Sequence, residues 1–400
     1  MRRTGGMTMD TCRPMLVMSL LCLGLAGCSG SFDVDEQATA TSLPLMSAPA
    51  STPFPEEVGA ELDQVLDDWL TSEGLPGVTA AVVTPDGTWA GATGVDGVGS
   101  ALVPESAMAI ASVTKTFTAA EVMLLSERGL VDLDAPITDY VELPFDARGA
   151  TVRQLLNMSS GFPEDPLEAI DAAAIADPDH DYAVGDEISL VDPDAPRMGA
   201  VGYGQEYNNL NFAVLGELIE QVTGGTYAEA VRGHLLDATP LERVWVQDDE
   251  TPEPPVAVGE VLPEIPVVDE GSAWVPSRAM ASLASPEGGI AADAPSIARW
   301  GALLYGGHVI DATLVEQMTA GLQAEDDWYG LGTARGQYDG EPWVGHQGDI
   351  ISYHGKLTVF PESETSVAYF VPAPSTYRFT PVLIETDLAV QLRDATITDG

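Results

Sequence analysis

Basic residues are scarce in this sequence. Its 400 residues include 16 Lys and Arg against 62 Asp and Glu, so the formal net charge at pH 7 is −46. Lysine is rarer still, because only Lys115 and Lys356 occur. Binding to a nucleic-acid backbone requires a basic surface, and this composition therefore excludes nucleic acid as a partner. The same deficit argues against adhesion to anionic lipids through basic patches.

Cysteine is absent after residue 28. The three cysteines, Cys12, Cys22 and Cys28, all lie at the start of the chain. The remaining residues therefore contain neither a disulfide framework nor a cysteine-built metal site. They also contain no HExxH motif. The sequence predicts a protein that works without a metal or another cofactor.

Long apolar runs are also missing. The apolar run at residues 15–26 follows three arginines and is too short for a stable transmembrane helix, but it fits a secretory signal peptide. It ends in Leu25-Ala26-Gly27-Cys28, which resembles the lipobox of bacterial lipoproteins. That resemblance implies removal of residues 1–27, lipidation of Cys28 and an extracytoplasmic protein held at the cell membrane by its lipid. An ordinary signal peptide cut nearby is the alternative.

The residues that follow divide into a tether and one domain. Residues 28–55 are rich in Ser, Thr, Ala and Pro without apolar periodicity, which predicts a flexible tether. From residue 56 to residue 393 the apolar residues recur periodically, which predicts one domain of helices and strands. Two acidic, proline-bearing stretches within this domain, 163–196 and 248–270, are interpreted as long loops.

Strand patterns occur at both ends of this domain, with helix patterns between them. The sequence predicts strands over 78–83, 88–92, 343–346, 351–360 and 365–371. It predicts helices over 58–70, 112–125, 151–158, 209–222, 226–236, 295–305, 311–319 and 379–393. We therefore expect an α+β fold in which both chain ends build the sheet and a mostly helical subdomain is inserted between them.

Ser112 and Lys115 form the first motif with chemical meaning. Residues three apart share one face of a helix, so this lysine can lie one turn below the serine. A serine hydroxyl is a weak nucleophile that needs a neighbouring base, and a desolvated lysine can supply one. The alternative is a serine that caps the helix beside a lysine that reaches the surface.

The second motif, Tyr207-Asn208-Asn209, precedes a predicted helix. A phenol near a lysine can be held partly ionised and accept a proton. The amide of Asn209 can both donate and accept hydrogen bonds, to a substrate carbonyl and to the lysine. A turn followed by a helix cap is the alternative.

The third motif, His346-Gln347-Gly348, ends a predicted strand. Glycine beside a strand edge permits close approach of a substrate backbone. His346 would then place a hydrogen-bond donor or a positive charge in the cleft. The alternative is a histidine that merely packs. The other histidines are interpreted in that way: His180, His234, His308 and His354.

In this order the three motifs resemble the signature of the penicillin-recognising serine hydrolases, a β-lactamase-like family. The resemblance is to the branch with class C β-lactamases, D,D-carboxypeptidases, D-aminopeptidases and esterases. Segments 151–161, 207–216 and 285–290 are also similar to family segments, and the resemblance covers residues 56–393. It implies the β-lactamase/transpeptidase-like α/β sandwich, with an antiparallel sheet flanked by helices.

The resemblance also implies acyl transfer through a covalent intermediate. Ser112 would attack a carbonyl carbon, and Lys115 and Tyr207 would share the proton relay, first as base and then as acid. Asn209 would hold the acyl side of the substrate, and water would finally release the acyl group. Whether Lys115 or Tyr207 is the base stays open, because such pairs titrate together.

The third motif is implied to stabilise charge. Gly348 and Asp349 would line an oxyanion hole in which the backbone N–H groups of Ser112 and Asp349 donate to the oxyanion. His346 would tune the charge near Tyr207.

Asp349 also bears on the choice of substrate. If its side chain faces the cleft, it would repel a substrate carboxylate by roughly 1 kcal/mol at about 4 Å in water. We therefore expect a small-molecule or short-peptide acyl donor, with neutral esters or amine-bearing compounds preferred over penicillins and D-Ala-D-Ala termini. A side chain that points to solvent is the alternative. A class C-like β-lactamase and a non-catalytic penicillin-binding or solute-binding lipoprotein are the other functions left open.

Overall fold

Strands from both ends of the chain form one antiparallel sheet. The computed structural model describes residues 43–260, 274–320, 328–373 and 387–397. Their strands are β1 (Gly77–Val83), β2 (Thr88–Gly94), β3 (Met108–Ala109), β4 (Val244–Val246), β5 (Ile290–Ala292), β6 (Ala334–Tyr338), β7 (Glu341–Ile350), β8 (Tyr353–Phe360) and β9 (Thr365–Val371). Six of them pair in the order β2-β1-β9-β8-β7-β6, and β3-β5-β4 form a second, small sheet.

Helices fill the middle of the chain and flank the large sheet. They are α1 (Glu56–Glu73), α2 (Lys115–Glu127), α3 (Val152–Leu156), α4 (Leu167–Ala176), α5 (Asp186–Ser189), α6 (Leu210–Thr223), α7 (Tyr227–Val231), α8 (Arg278–Leu283), α9 (Ser285–Gly288), α10 (Ala294–Tyr305), α11 (Ala312–Thr319) and α12 (Leu388–Ile397). No helix among the described residues has the length and apolar character that a membrane crossing requires.

Helices cover both faces of the large sheet, which explains the apolar sequence of its central strands. Every residue of β1 and β9 is buried. Ala81 and Val83 of β1 belong to the core that contains α10, whereas Ala80 and Val82 belong to the core that contains α1 and α12. A strand that is buried on both faces has a continuous apolar sequence, whereas a strand with one exposed face alternates apolar and polar residues.

The helical subdomain shares its core with the sheet layer. Phe117 on α2 stacks on Trp300 on α10, with ring centroids 3.9 Å apart and planes at 7°. Almost all of α2 is buried, including Lys115 and Glu121. This burial fixes α2, and the turn that precedes it, against the sheet.

These observations confirm the predicted α+β fold with a sheet from both chain ends. They also correct the interpretation of 163–196 as a loop, because this stretch contains α4 and α5. Ile170 and Ala174 of α4 pack against Met280 and Leu283 of α8, so this mainly apolar helix is held against the domain within an otherwise acidic stretch. The predicted last helix, 379–393, is described only from Leu388, and its earlier part lies outside the described residues.

The prediction of a flexible tether is wrong for residues 43–55. Met46 is buried, the Ala50 N–H donates to Thr84 O at 2.9 Å, and the Phe54 N–H donates to Thr88 O at 2.9 Å. This segment therefore packs along the domain before α1 begins. The predicted signal peptide and Cys28 lie outside the described residues.

Candidate active site

Ser112 lies in a tight 3₁₀ turn, Ala111–Thr114, that leads into α2. The turn is tied to β5, because the Ile110 N–H donates to Ile290 O at 3.0 Å and the Ile290 N–H donates to Thr114 Oγ1 at 3.2 Å. Ala111 has φ of 48°, a left-handed conformation that a non-glycine residue adopts at a cost in energy. The backbone is thus held in a strained turn at the residue before Ser112.

Lys115 lies one turn below Ser112 and is fully buried. Its Nζ donates to Ser112 Oγ at 3.0 Å, to Asn209 Oδ1 at 2.8 Å and to the main-chain oxygen of Glu287 at 2.9 Å. These contacts use all three donors of an ammonium group. The expected alternative, a lysine that reaches the surface, is wrong.

Tyr207 and Asn209 reach the same serine from the segment before α6. Tyr207 Oη donates to Ser112 Oγ at 2.8 Å, and Lys115 Nζ lies 5.2 Å from the centroid of the Tyr207 ring. A hydroxyl within hydrogen-bond distance of both an amine and a phenol has two routes for its proton. The first two sequence motifs are therefore joined in one contact network around Ser112.

Gly348 and Asp349 lie on an open stretch of strand edge beside this network. β7 pairs with β8 through Ile350, but its pairing with β6 ends at Gly345. A Cβ at position 348 would lie 2.2 Å from Ile110 O, so only glycine lets the turn that carries Ser112 approach β7 this closely. The edge beyond Gly345 is free, among the described strands, to pair with an extended substrate.

His346 belongs to the site as a neutral group, so of the two expected contributions, a hydrogen-bond donor or a positive charge, it does not supply the charge. Burial, together with the charge of Lys115, lowers the pKa of His346 to about 3. Its Nδ1 lies 2.5 Å from Gln347 O, so this nitrogen donates, and Nε2 accepts from the phenol of Tyr329 at 2.8 Å. The ring centroid of His346 is 6.1 Å from that of Tyr207, and Tyr329 lies against both rings.

Asp349 lies beside the site, and neighbouring side chains hold its carboxylate in place. Its Oδ1 lies 2.5 Å from His354 Nδ1, and its Oδ2 accepts from Gln347 Nε2 at 2.8 Å. The side chain keeps 37% exposure, and the residue is on the wall of the cavities around Ser112. The carboxylate is therefore not freely solvated, and His354 does more than pack, because it contacts this carboxylate.

Two cavities meet at Ser112 and Asn209. The larger has a volume of about 610 Å³, and its wall includes the aromatic rings of Tyr207, Trp328 and Trp343. The smaller has a volume of about 180 Å³ and extends past Lys115 to Glu287. Asp349 lines both. The arrangement offers a large, mainly aromatic space and a small, acidic space on either side of the same hydroxyl.

The site also contains carboxyl groups that the sequence motifs did not predict. Asp165 Oδ2 accepts the Asn209 N–H at 3.2 Å, and burial raises the pKa of Asp165. Glu287 and Glu187 are buried, and burial raises the pKa of Glu287 to about 8 and that of Glu187 well above its usual range. In so acidic a chain, no sequence signal distinguished these three from the other acids.

Known proteins with similar sequences belong to one family. The family described as Beta-lactamase matches residues 62–389. Penicillin-binding protein 4 of Amycolatopsis lactamdurans is 26% identical over 332 residues, which cover 76% of this chain and 82% of that protein. Esterase EstB of Burkholderia gladioli is 30% identical over 266 residues, which cover 58% of this chain and 66% of the esterase. D-aminopeptidase of Brucella anthropi is 26% identical over 62% of this chain, which spans only 46% of that longer protein.

Solved structures share the fold. D-amino acid amidase from Ochrobactrum anthropi, complexed with D-phenylalanine, superposes with a TM-score of 0.72 at 22% identity and covers 85% of this chain and 99% of the amidase. The octameric penicillin-binding protein homologue from Pyrococcus abyssi gives 0.65 at 23% identity and covers 80% of this chain and 75% of that one. Because the family match extends over most of the sequence, the chain belongs to the β-lactamase family of serine hydrolases.

Proposed function

We propose that this protein is an extracytoplasmic, lipid-anchored serine hydrolase that cleaves ester or amide bonds through an acyl-enzyme on Ser112. The observation that carries this proposal is the pair of contacts at Ser112 Oγ, 3.0 Å to Lys115 Nζ and 2.8 Å to Tyr207 Oη, beside an open strand edge. A serine that only capped a helix would need neither contact. This geometry argues against the alternative of a binding protein without catalytic groups.

The contacts of Ser112 with Lys115 and Tyr207 support a reaction in two steps, acylation of the serine and hydrolysis of the acyl-enzyme. Ser112 Oγ bonds to the substrate carbonyl carbon while its proton passes to the Lys115–Tyr207 unit, which for this step must hold one proton fewer than an ammonium and a phenol together. The carbonyl oxygen becomes an oxyanion, for which the backbone N–H groups of Ser112 and Asp349 are the candidate donors. When the bond to the leaving group breaks, the same unit returns the proton to the departing oxygen or nitrogen. Water then attacks the acyl-enzyme by the same route, which releases an acid and restores Ser112.

The side chains around the two cavities favour substrates without a carboxylate. Asp349 is on the wall of both cavities, and Glu287 is on the wall of the smaller one. An anionic group placed there would lie near the charge of Asp349, and this repulsion costs more as water is excluded. The printed names of the relatives, an esterase and a D-aminopeptidase, suit neutral esters and amine-bearing amides respectively. We propose these two classes rather than penicillins or D-Ala-D-Ala termini.

Hydrolysis of 4-nitrophenyl butyrate by the purified domain is the first test. We expect the wild-type rate to exceed that of Ser112→Ala by at least a hundredfold, and intact-protein mass spectrometry to detect one acyl group with a slowly released ester. Ser126→Ala, an equal change at the far end of α2, is the matched control. Equal rates for wild type and Ser112→Ala would contradict the proposal. Faster turnover of a chromogenic cephalosporin than of the ester would instead favour a β-lactamase.

The proposed location has a separate test. The Leu25-Ala26-Gly27-Cys28 sequence supports lipidation of Cys28 outside the cytoplasmic membrane. We expect the full chain to incorporate radiolabelled palmitate and to partition into detergent. The Cys28→Ser variant should remain unlabelled and aqueous, with Cys22→Ser as the control that keeps the label. Labelling that persists in Cys28→Ser would rule out this anchor.

A further inference from the structure

The smaller cavity beside Ser112 has an unusual lining. Its polar lining consists of Ser112, Lys115 and Asn209 together with the acidic residues Asp171, Glu287 and Asp349. Aliphatic side chains complete the lining: Leu167, Ile170, Met280, Ile350 and Ile351. Its volume of about 180 Å³ suits a small group rather than a ring system. The carboxyl groups would attract a cation, and the aliphatic side chains would contact a short alkyl chain. The cavity therefore matches a small alkylammonium group.

The carboxyl groups behind this cavity lack hydrogen-bond partners. Glu287 is 6% exposed and its Oε2 has no partner, and Glu187 is 1% exposed with neither oxygen paired. A buried carboxylate without a partner is costly, so such a group takes up a proton or binds a cation. The ammonium of Lys115 acts on both, but its three donors are engaged by Ser112, Asn209 and the main-chain oxygen of Glu287.

Carboxyl groups outnumber ammonium groups at this point, so a carboxyl group without a cation holds a proton that an incoming ammonium can replace. Lys115 provides one positive charge, whereas Asp165, Glu187 and Glu287 provide three carboxyl groups around it. Among the described residues, no group of three or more His, Cys, Asp or Glu is placed to hold a metal ion. An organic ammonium needs only one or two carboxylate oxygens, and it therefore suits this set of carboxyl groups.

We propose that the smaller cavity is a subsite for a protonated primary amine of the substrate, and that Glu287 is the carboxylate that pairs with it. The inference rests on the proposed function, because Ser112 must take the acyl group of the same molecule. The cavity shares Ser112 and Asn209 with the larger cleft, so an amine close to the scissile carbonyl can enter it while the rest of the substrate occupies the cleft. Glu287 then determines specificity between amine-bearing and neutral substrates.

Amine binding at this subsite must be linked to pH. Burial raises the pKa of Glu287 to about 8, and Asp165 and the buried Glu187 oppose its ionisation, while Lys115 favours it. Asp171 and Asp349 face the same cavity. Below pH 8, the ammonium has to displace the proton of Glu287, so its affinity rises by up to about tenfold for each pH unit. Above pH 8 the affinity levels off for as long as the amine stays protonated.

Paired substrates test the subsite directly. Alanine 4-nitroanilide, as each enantiomer, is compared with propionyl 4-nitroanilide, which lacks only the amine. At pH 8 we expect the wild type to prefer the better alanine enantiomer at least tenfold in kcat/KM. Glu287→Gln should reduce this preference about tenfold, whatever its absolute rate. Glu127→Gln, the same change at the exposed end of α2, should keep the preference. An unchanged preference in Glu287→Gln would overturn the proposal.

A binding measurement separates this proposal from the catalytic one and does not depend on the Glu287 variant folding. Calorimetry with n-propylammonium is carried out on Ser112→Ala, which needs no turnover. We expect the Kd to fall severalfold between pH 6 and pH 8, with protons released on binding, and 1-propanol to show no such change. A pH-independent Kd, or no binding, would overturn the subsite even if ester hydrolysis is found. Binding without any hydrolysis by the wild type would overturn the catalytic proposal alone.

Discussion

The phenol of Tyr329 donates a hydrogen bond to Nε2 of His346 across 2.8 Å. Nδ1 of the same ring donates to Gln347 O, and because burial keeps the ring neutral, Nε2 is left as the acceptor. His346 therefore serves the site as a fixed, uncharged ring in contact with the rings of Tyr207 and Tyr329. The residue for which the sequence predicts a donor or a positive charge is thus an uncharged neighbour of the proton relay.

A neutral His346 predicts a specific loss of stability in acid. The unfolded residue gains a proton near pH 6.5, whereas the folded residue does so only near its pKa of about 3. Between these values the unfolded state binds more protons, so the free energy of unfolding falls by up to about 1.4 kcal/mol for each pH unit as the pH decreases. Denaturant unfolding at pH 7, 6 and 5 should show this slope reduced in His346→Gln. His180→Gln, at an exposed histidine, should retain the full slope; identical slopes in all three proteins would contradict the assignment.

Tyr207→Phe should remove activity without removing the fold. The substitution deletes only the hydroxyl that lies 2.8 Å from Ser112 Oγ. Proton transfer by a positioned side chain contributes about 10²–10⁴-fold, and we expect kcat for an ester to fall by this amount. Tyr203→Phe is the matched control, because Tyr203 is 80% exposed. If kcat falls less than threefold, Lys115 alone carries the proton and Tyr207 has no part in its transfer.

Gly348→Ala should separate the turn that carries Ser112 from β7. The new Cβ would lie 2.2 Å from Ile110 O and 3.1 Å from Ala111 Cβ, and Ile110 is tied to β5 by its own hydrogen bond. Because a shift of about 1 Å at a catalytic group can cost about 100-fold in rate, we expect a loss in kcat/KM of that order. Gly233→Ala, where a Cβ meets nothing within 4 Å, should leave kcat/KM unchanged. Similar kinetics for both variants would show that the close approach at Gly348 is dispensable.

The contact within the first motif was predictable because it depends only on the spacing of two residues along the chain. Ser112 and Lys115 are three residues apart at the start of a helix, so their contact follows from helix geometry. The strands at both chain ends were predictable because β1 and β9 are buried throughout and are rich in small and branched apolar residues. The short strands β3, β4 and β5 were missed because two or three residues carry no periodicity.

Charge states at the site could not be predicted in the same way. The neutrality of His346 depends on burial and on Tyr329, a partner 17 residues away. Asp165 and Glu187 lie in a stretch whose composition predicts a loop, and only tertiary packing brings them towards Lys115. An acid that is functional differs from a solvated acid in its surroundings, and those surroundings come from distant parts of the chain.

Asp349→Asn should widen the range of substrates rather than abolish activity. Asp349 is on the wall of both cavities, and removal of its charge relieves the repulsion of an anionic substrate, worth about 1 kcal/mol or fivefold at about 4 Å in water. The informative quantity is the ratio of kcat/KM for 4-nitrophenyl hydrogen succinate to that for 4-nitrophenyl butyrate, which we expect to rise about fivefold at low salt. Asp67→Asn, an equal charge change on the exposed face of α1, should leave the ratio where it is. A ratio that rises equally in both variants would assign the discrimination to the net charge of the protein instead of to Asp349.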